Sequence, residues 1–311
     1  MPSYTHAEII TSSYKYLPNL PANMVGLVMY SLTFILQILF GTWTKQWWFL
    51  VCWFCATGLE VAGFSGRVAS YYELQNKEAY KAQLVGTILA PAFHMAGIYY
   101  QLAKIITIYG QRFSPLKPMT YSAIFIVADV VSIVIQAAGG GTAAGGDDDN
   151  DRDTIRTGGW IMVAGIAVQV VMMSIFILAF SYVIWKIKTS NEAEYESRYA
   201  HVRRRPMFKF FIPALCVAIL FIYIRSIYRL VELSEGWTGY LMTTERFFLV
   251  LDGLMVLIAT VTLTVVHPGF CLGRDTIPVE GLHYKRGQAP PHTDEDEDKL
   301  NLYVAEEDAS Y

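Results

Sequence analysis

The chain has 311 residues, 54% of them hydrophobic and 16% charged, with a net charge of −3 and a mean hydropathy of +0.34. Soluble domains carry about a quarter charged residues, so this composition excludes a disordered, collagen-like or disulfide-built chain, and the charge balance predicts no nucleic-acid partner. A multi-span membrane protein is the class that remains.

Residues 1–21 lack the basic start, short apolar core and small-residue cleavage site of a signal peptide, so they are predicted to be an extracellular segment before a retained first span. Seven apolar runs then follow, each on the scale of about 18 or more residues that a membrane helix needs. They are Met24–Phe40, Trp47–Gly66, Leu84–Ile108, Thr120–Ala138, Gly159–Trp185, Phe208–Leu230 and Arg246–Val266. The expected fold is all-α, a polytopic seven-transmembrane helix bundle over 22–270, followed by a disordered acidic cytosolic tail over 271–311. Fourteen Lys and Arg residues flank the spans on one side and five on the other. This bias predicts the N-terminus outside and the C-terminus in the cytosol, with outer loops at 67–83, 139–158 and 231–244. Two stretches read as too glycine-rich or too polar to pack: Gly139–Gly146 with Asp147–Asp153, and the tail with Asp294–Asp298.

The four cysteines, Cys52, Cys55, Cys216 and Cys271, all lie in or beside spans, so no extracellular disulfide is expected. Cys52 and Cys55 have redox-motif spacing but sit in an apolar helix without further thiol or His partners, which predicts no metal site.

Ionisable residues inside spans cost several kcal/mol unless paired or hydrated, and each is a candidate functional residue. Glu60 and Arg67 lie seven apart in the second span, and Asp129 and Gln136 seven apart in the fourth. Arg225, Arg229 and Glu232 follow at i, i+4 and i+7 in the sixth, and Glu245 and Asp252 seven apart in the seventh. Seven residues make nearly two helical turns, so each set occupies one face. With alternating span directions, all of them fall in the middle or outer half of the membrane. The expectation is one polar cluster in which these residues converge with His94 and Gln169, either lining a cavity that binds substrate or forming an ion-pair lattice that holds the helices together. Gly58, Ala62 and Gly66 give a small-residue spacing for close helix approach. Pro91 and Pro213 lie within spans and free backbone groups that need a polar partner.

No phosphate loop, zinc-hydrolase motif or nucleophile elbow is present, so no ATP site, catalytic residue, cofactor or metal is predicted. The seventh span has no Lys for a retinal Schiff base, and the marker motifs of G-protein-coupled receptors are absent.

Several segments together resemble the fungal lipid-translocating exporters, seven-span proteins related to aminocholesterol-resistance and sphingoid-base-resistance proteins. They are Glu60-Val-Ala-Gly-Phe-Ser-Gly-Arg67, Leu89-Ala-Pro-Ala-Phe93 with Tyr99, Asp129 to Gln136 running into Gly139-Gly-Gly141, Gly165 with Gln169, Arg225-Ser-Ile-Tyr-Arg229-Leu-Val-Glu232, Glu245 with Asp252, and His267-Pro-Gly269. The resemblance covers residues 20–270. It implies export of sphingoid long-chain bases or other amphiphilic small molecules at the plasma membrane and resistance to toxic amphiphiles, with one branch tied to porphyrin uptake. Phe64 stands where that family often has Tyr, and the outer acidic run is unusual for it. The alternatives are a receptor or regulator that senses lipid asymmetry, and a self-protection exporter for a secondary metabolite.

Overall fold

The computed structural model describes residues 4–5, 12, 14–148, 151–191, 195–236, 239–273, 277 and 279. Of the tail expected over 271–311, Cys271 and Leu272 close the last helix and are buried, as is Ile277, while Asp294–Asp298 lies outside the described residues.

Among the described residues, seven helices are long and apolar enough to cross a membrane. They are α1 (Leu20–Thr44), α2 (Trp47–Tyr72), α3 (Lys77–Tyr109), α4 (Pro118–Asp148), α5 (Arg152–Thr189), α6 (Phe208–Ser234) and α7 (Glu245–Leu272). Helices α2 and α6 start where expected, the other five begin a little before the apolar runs, and all seven end beyond them. Hydropathy registers the bilayer, whereas polar caps decide where a helix begins. Asn19, Asn76 and Asp151 each accept a backbone N–H at the start of α1, α3 and α5. Exposed aromatics ring both ends, with Trp43, Trp47, Trp48 and Trp185 on one face and Tyr72, Trp160 and Tyr240 on the other, as expected at membrane interfaces.

Successive helices are neighbours, α7 returns to α1, and α3 is the most enclosed, touching α2, α4, α5 and α6. The end of the bundle near Tyr109 and Phe208 is an apolar core built from Ile105, Ile106, Phe176, Phe211, Ile219 and Leu263. The other end, where α1 begins, holds most of the buried charge, and is called here the N-terminal face.

Two sequence expectations are corrected. Gly139–Gly146 is not a loop: α4 continues through it to Asp148. A Cβ on Gly139 would lie 2.6 Å from the Met162 nitrogen and one on Gly158 would lie 2.6 Å from the Gly139 oxygen, so the glycines let α4 and α5 touch backbone to backbone. Asp147 and Asp148 of the acidic run therefore end α4, and Asp151 caps α5 through bonds from the Asp153 nitrogen and the Thr154 hydroxyl. The close approach of α2 and α3 uses Gly63, Gly66 and Gly86 rather than the Gly58 and Ala62 face. A Cβ on Gly66 would lie 2.5 Å from the Ala79 oxygen, while Ala62 is exposed and Gly58 faces only Phe34.

Candidate functional site

Proline has no N–H, so Pro91 inside α3 leaves the carbonyl of Thr87, four residues back, without its helical partner. The structure shows what takes its place: the Arg225 guanidinium of α6 donates to that carbonyl, and Arg229 Nη2 donates to the Thr87 hydroxyl at 3.0 Å. A helix defect in α3 thus becomes the anchor for two buried arginines.

Those arginines converge on Asp252. Arg225 Nε lies 2.6 Å from its Oδ1, and Arg229 reaches Oδ1 through Nε at 2.9 Å and Oδ2 through Nη2 at 2.7 Å. Arg229 Nη1 also pairs with Glu232 at 2.7 Å, one turn along α6, and Glu232 accepts from the Tyr228 hydroxyl at 2.8 Å. Asp252 sits in a π-helical stretch of α7, Phe248–Leu254. This widened turn is a common device at functional sites, and here Tyr30 of α1 donates to the Gly253 carbonyl at 2.7 Å.

A second charged group lies nearer the N-terminal face. Arg67 of α2 pairs with Glu245 at 2.7 Å and donates to Asn23 Oδ1 at 2.6 Å and to the Tyr16 hydroxyl at 3.2 Å. Its guanidinium lies 4.1 Å from the centroid of the Phe248 ring, and that of Arg229 lies 5.3 Å from the same centroid, so Phe248 separates the two groups while cation–π contact ties them together. Outside the spans, burial pushes the Tyr14 phenol up to about 12 and raises Tyr16 as well, against the pull of Arg67, so both face the guanidinium as neutral hydroxyls.

A cavity of about 20 Å³, room for a single water, lies between the two groups and is lined by Tyr14, Tyr16, Arg67, Gln83, Arg229 and Met242 among others. Met242 also borders a cleft of about 470 Å³ at the same end, between the start of α5 and the end of α6, lined by Arg152, Arg156, Trp160 and Glu235.

Glu60 differs from its neighbours. It is 1% exposed and makes no hydrogen bond or ion pair with any described residue, although Asp252, Arg225 and Arg229 are its charged neighbours. Three guanidinium groups, of Arg67, Arg225 and Arg229, thus face four carboxylates, of Glu60, Glu232, Glu245 and Asp252. Carboxyl groups outnumber guanidinium groups by one, and Glu60 is the one that no guanidinium contacts.

The structure gathers seven of the nine candidate residues and keeps two apart. Asp129 and Gln136 of α4 face α3 and α5: Gln136 Nε2 donates to Ser132 Oγ at 2.8 Å and to Gln169 Oε1 at 3.1 Å, and Asp129 has Tyr99 as its titratable neighbour. His94 also stands aside, bonded to the Ala90 carbonyl and Thr260 and held edge-on to Trp53. A polar stripe tells which face of its own helix is buried, not which helix covers it, so the expected single cluster is two. Sequence reasoning also missed Thr87, Asn23, Tyr16, Tyr228 and Phe248. Thr87 alone had a readable signal, its position four residues before Pro91.

All four cysteines are free, and Cys271 is buried. Among the described residues no group of His, Cys, Asp or Glu is arranged to hold a metal ion.

The chain was compared with known proteins. It is 38% identical to the sphingoid long-chain base transporter RSB1 of Saccharomyces cerevisiae (strain ATCC 204508 / S288c), over 91% of this chain and 81% of the relative. It is 28% identical to Protein RTM1 of Saccharomyces cerevisiae, over 67% of this chain and 63% of that one. Protoporphyrin uptake protein 1 of Saccharomyces cerevisiae (strain ATCC 204508 / S288c) is 27% identical over 67% of this chain and 64% of its own length. No solved structure matches. A model described as RTA1 like protein matches residues 53–275, a stretch that includes α3 to α7 and the residues of the two charged groups other than Tyr14, Tyr16, Asn23 and Tyr30, and the chain therefore belongs to the RTA1-like family.

Proposed function

We propose that the protein moves sphingoid long-chain bases or closely related cationic amphiphiles across the membrane, outward at the plasma membrane, and so protects the cell from them. The observation that carries this reading is Glu60, a buried carboxyl group that no guanidinium contacts and that an ammonium group can pair with. A long-chain base bears an ammonium group beside hydroxyls on an alkyl chain. Its charge balances the cluster while its hydroxyls find the carboxylates and guanidinium groups already ordered there, and the alkyl chain stays among the helices. The 38% identity to a sphingoid long-chain base transporter supports the same substrate class.

In the present arrangement the cavity beside the cluster holds no more than a water, so the state described is a closed one. The cleft that shares Met242 with it is the exit route, and Trp160 at its rim suits a membrane interface. The N-terminus-outside orientation, read from the Lys and Arg bias, places this exit on the outer side.

The test is transbilayer movement of a fluorescent sphingoid base in liposomes containing the purified protein, beside Glu60→Gln. That variant keeps the side-chain shape and breaks no contact while removing the carboxyl group. Accelerated movement in the wild type that falls to the protein-free rate in E60Q is expected. Saturable binding without movement would make the chain a lipid sensor instead, and unchanged movement in E60Q would remove Glu60 from the site.

A further inference from the structure

The polar group on α4 plays no part in that reading, and its bonding is incomplete. Both carboxyl oxygens of Asp129, the Tyr99 hydroxyl and Gln169 Nε2 are buried without a well-formed hydrogen bond, and the nearest partner for Asp129 is the Tyr99 hydroxyl beside it. Buried polar groups in folded proteins nearly always have partners, and four orphaned atoms in one small group is a departure that calls for a cause. The group otherwise has partners to spare: Ser132 donates to the Gly165 carbonyl at 2.6 Å, and Gln136 bridges Ser132 and Gln169.

Asp129 is 3% exposed, and no cation faces it from any element packed on it: α3 offers the neutral Tyr99, and α5 offers Gln169 and backbone. An ionised carboxylate in such a place is costly, so in this closed state Asp129 carries a proton. A bound metal cation is a poor alternative, because one carboxylate and one phenol fall short of the oxygen cage that hard cations require. To lose its proton the group must gain water or a partner, and that requires α4 to part from α3 at Tyr99.

Helix α3 also runs through the charged cluster. Tyr99 and Thr87 are twelve residues apart, about 18 Å along a helix, with Pro91 between them. Thr87 holds Arg225 and Arg229, and Pro91 is the point at which α3 bends most easily. Whatever shifts α3 at Tyr99 therefore acts on the groups that surround Glu60.

We propose that Asp129, with Tyr99, is a proton-carrying site that couples the movement of the cationic amphiphile to proton movement in the opposite direction through α3. The proton binds to an Asp129 carboxylate oxygen from one aqueous side and leaves from the same oxygen to the other side, while the ammonium compound crosses the other way. This rests on the transport reading above. It supplies an energy source for a chain that has no phosphate loop.

The experiment uses liposomes that hold the full-length protein and a lumenal pH indicator. The substrate is a trimethylammonium analogue of a long-chain base, whose charge does not titrate, so every proton counted crosses through the protein. Substrate added to the wild type should move protons against its own direction, and an imposed pH gradient should drive it uphill. Asp129→Asn should still equilibrate substrate downhill but lose both effects to the level of protein-free vesicles, and Tyr99→Phe should shift the pH at which the gradient response is half-maximal. Substrate movement with no proton flux in the wild type overturns the coupling and leaves the transport reading intact. Proton flux that survives in D129N assigns the exchange to Glu60 and also overturns it. Should no substrate move, infrared difference spectroscopy still decides the protonation: a buried-carboxylic-acid C=O band lost in D129N upholds the proton site, and its absence from the wild type overturns it.

Discussion

Two sets of intramembrane charges differ in how completely they are bonded. Asp252 takes three bonds from two arginines, Arg229 also holds Glu232 and Thr87, and Arg225 completes the α3 helix at the carbonyl freed by Pro91. Glu60 and Asp129 make no such bond. The first set behaves as the frame that holds α3, α6 and α7 in register, since a buried ion pair that is fully hydrogen-bonded is costly to break from either side. The second set is where a cation or a proton is missing. An ionisable group inside the membrane therefore marks function here only where local bonding leaves it without a charged partner, and spacing along a helix does not distinguish the two.

The largest effect that separates the sets is expected at Asp252. Asp252→Asn leaves two buried guanidinium groups without their shared counter-charge, a loss of about 3–5 kcal/mol. The variant should unfold at a much lower temperature in detergent, or fail to accumulate, and loss of transport in it would say little about substrate contact. A D252N protein as stable as the wild type would mean that the frame is not a frame.

Next in size is the seam between α4 and α5, which sets the place of Asp129. Gly158→Val puts side-chain atoms where backbone stands on the neighbouring helix, with the Gly139 oxygen 2.6 Å and the Ala143 Cα 2.8 Å from the new Cβ. Overpacking of this kind costs about 1–3 kcal/mol when no side chain can give way. Thermal unfolding should record that loss, and because α4 is pushed from α5 the Gln136–Gln169 bond should go with it. A neutral result would show that the two helices separate freely at that end.

How much of this was legible before folding follows from what each signal encodes. Span number and fold class come from apolar run length, which the bilayer imposes directly, and the seven runs survive as seven helices. The partnership of Pro91 with a polar group was likewise foreseeable, because a missing N–H always orphans the carbonyl four residues back. Gly139–Gly146 was misread because glycine disfavours an isolated helix, while a helix–helix seam favours it when two backbones must touch. The π-helical turn at Phe248–Leu254 leaves no trace in hydropathy, although it sets how Asp252 meets both arginines. The division of one expected cluster into two was hidden for a related reason: Asp129 and Glu60 each lie on a buried face, and only tertiary packing sets Asp129 beside Tyr99 of α3 and Glu60 beside Arg225 and Arg229 of α6 and Asp252 of α7.

The smallest effect on stability is expected where the carboxyl groups lack a charged partner, and it is the sharpest test of the contrast. Glu60→Gln and Asp129→Asn replace a carboxyl with an amide of the same shape, neither strands a buried guanidinium group, and the amide of D129N still offers an oxygen to the Tyr99 hydroxyl. The cost that dominates at Asp252, a stranded counter-charge, is therefore absent, and each variant should lie within about 1 kcal/mol of the wild type by thermal unfolding. Natural proteins commonly give up stability at functional sites, so a small gain is also consistent with the contrast. A loss as large as that of D252N at either position would place Glu60 or Asp129 in the frame, and the unpartnered group would then have to be sought elsewhere among the buried groups.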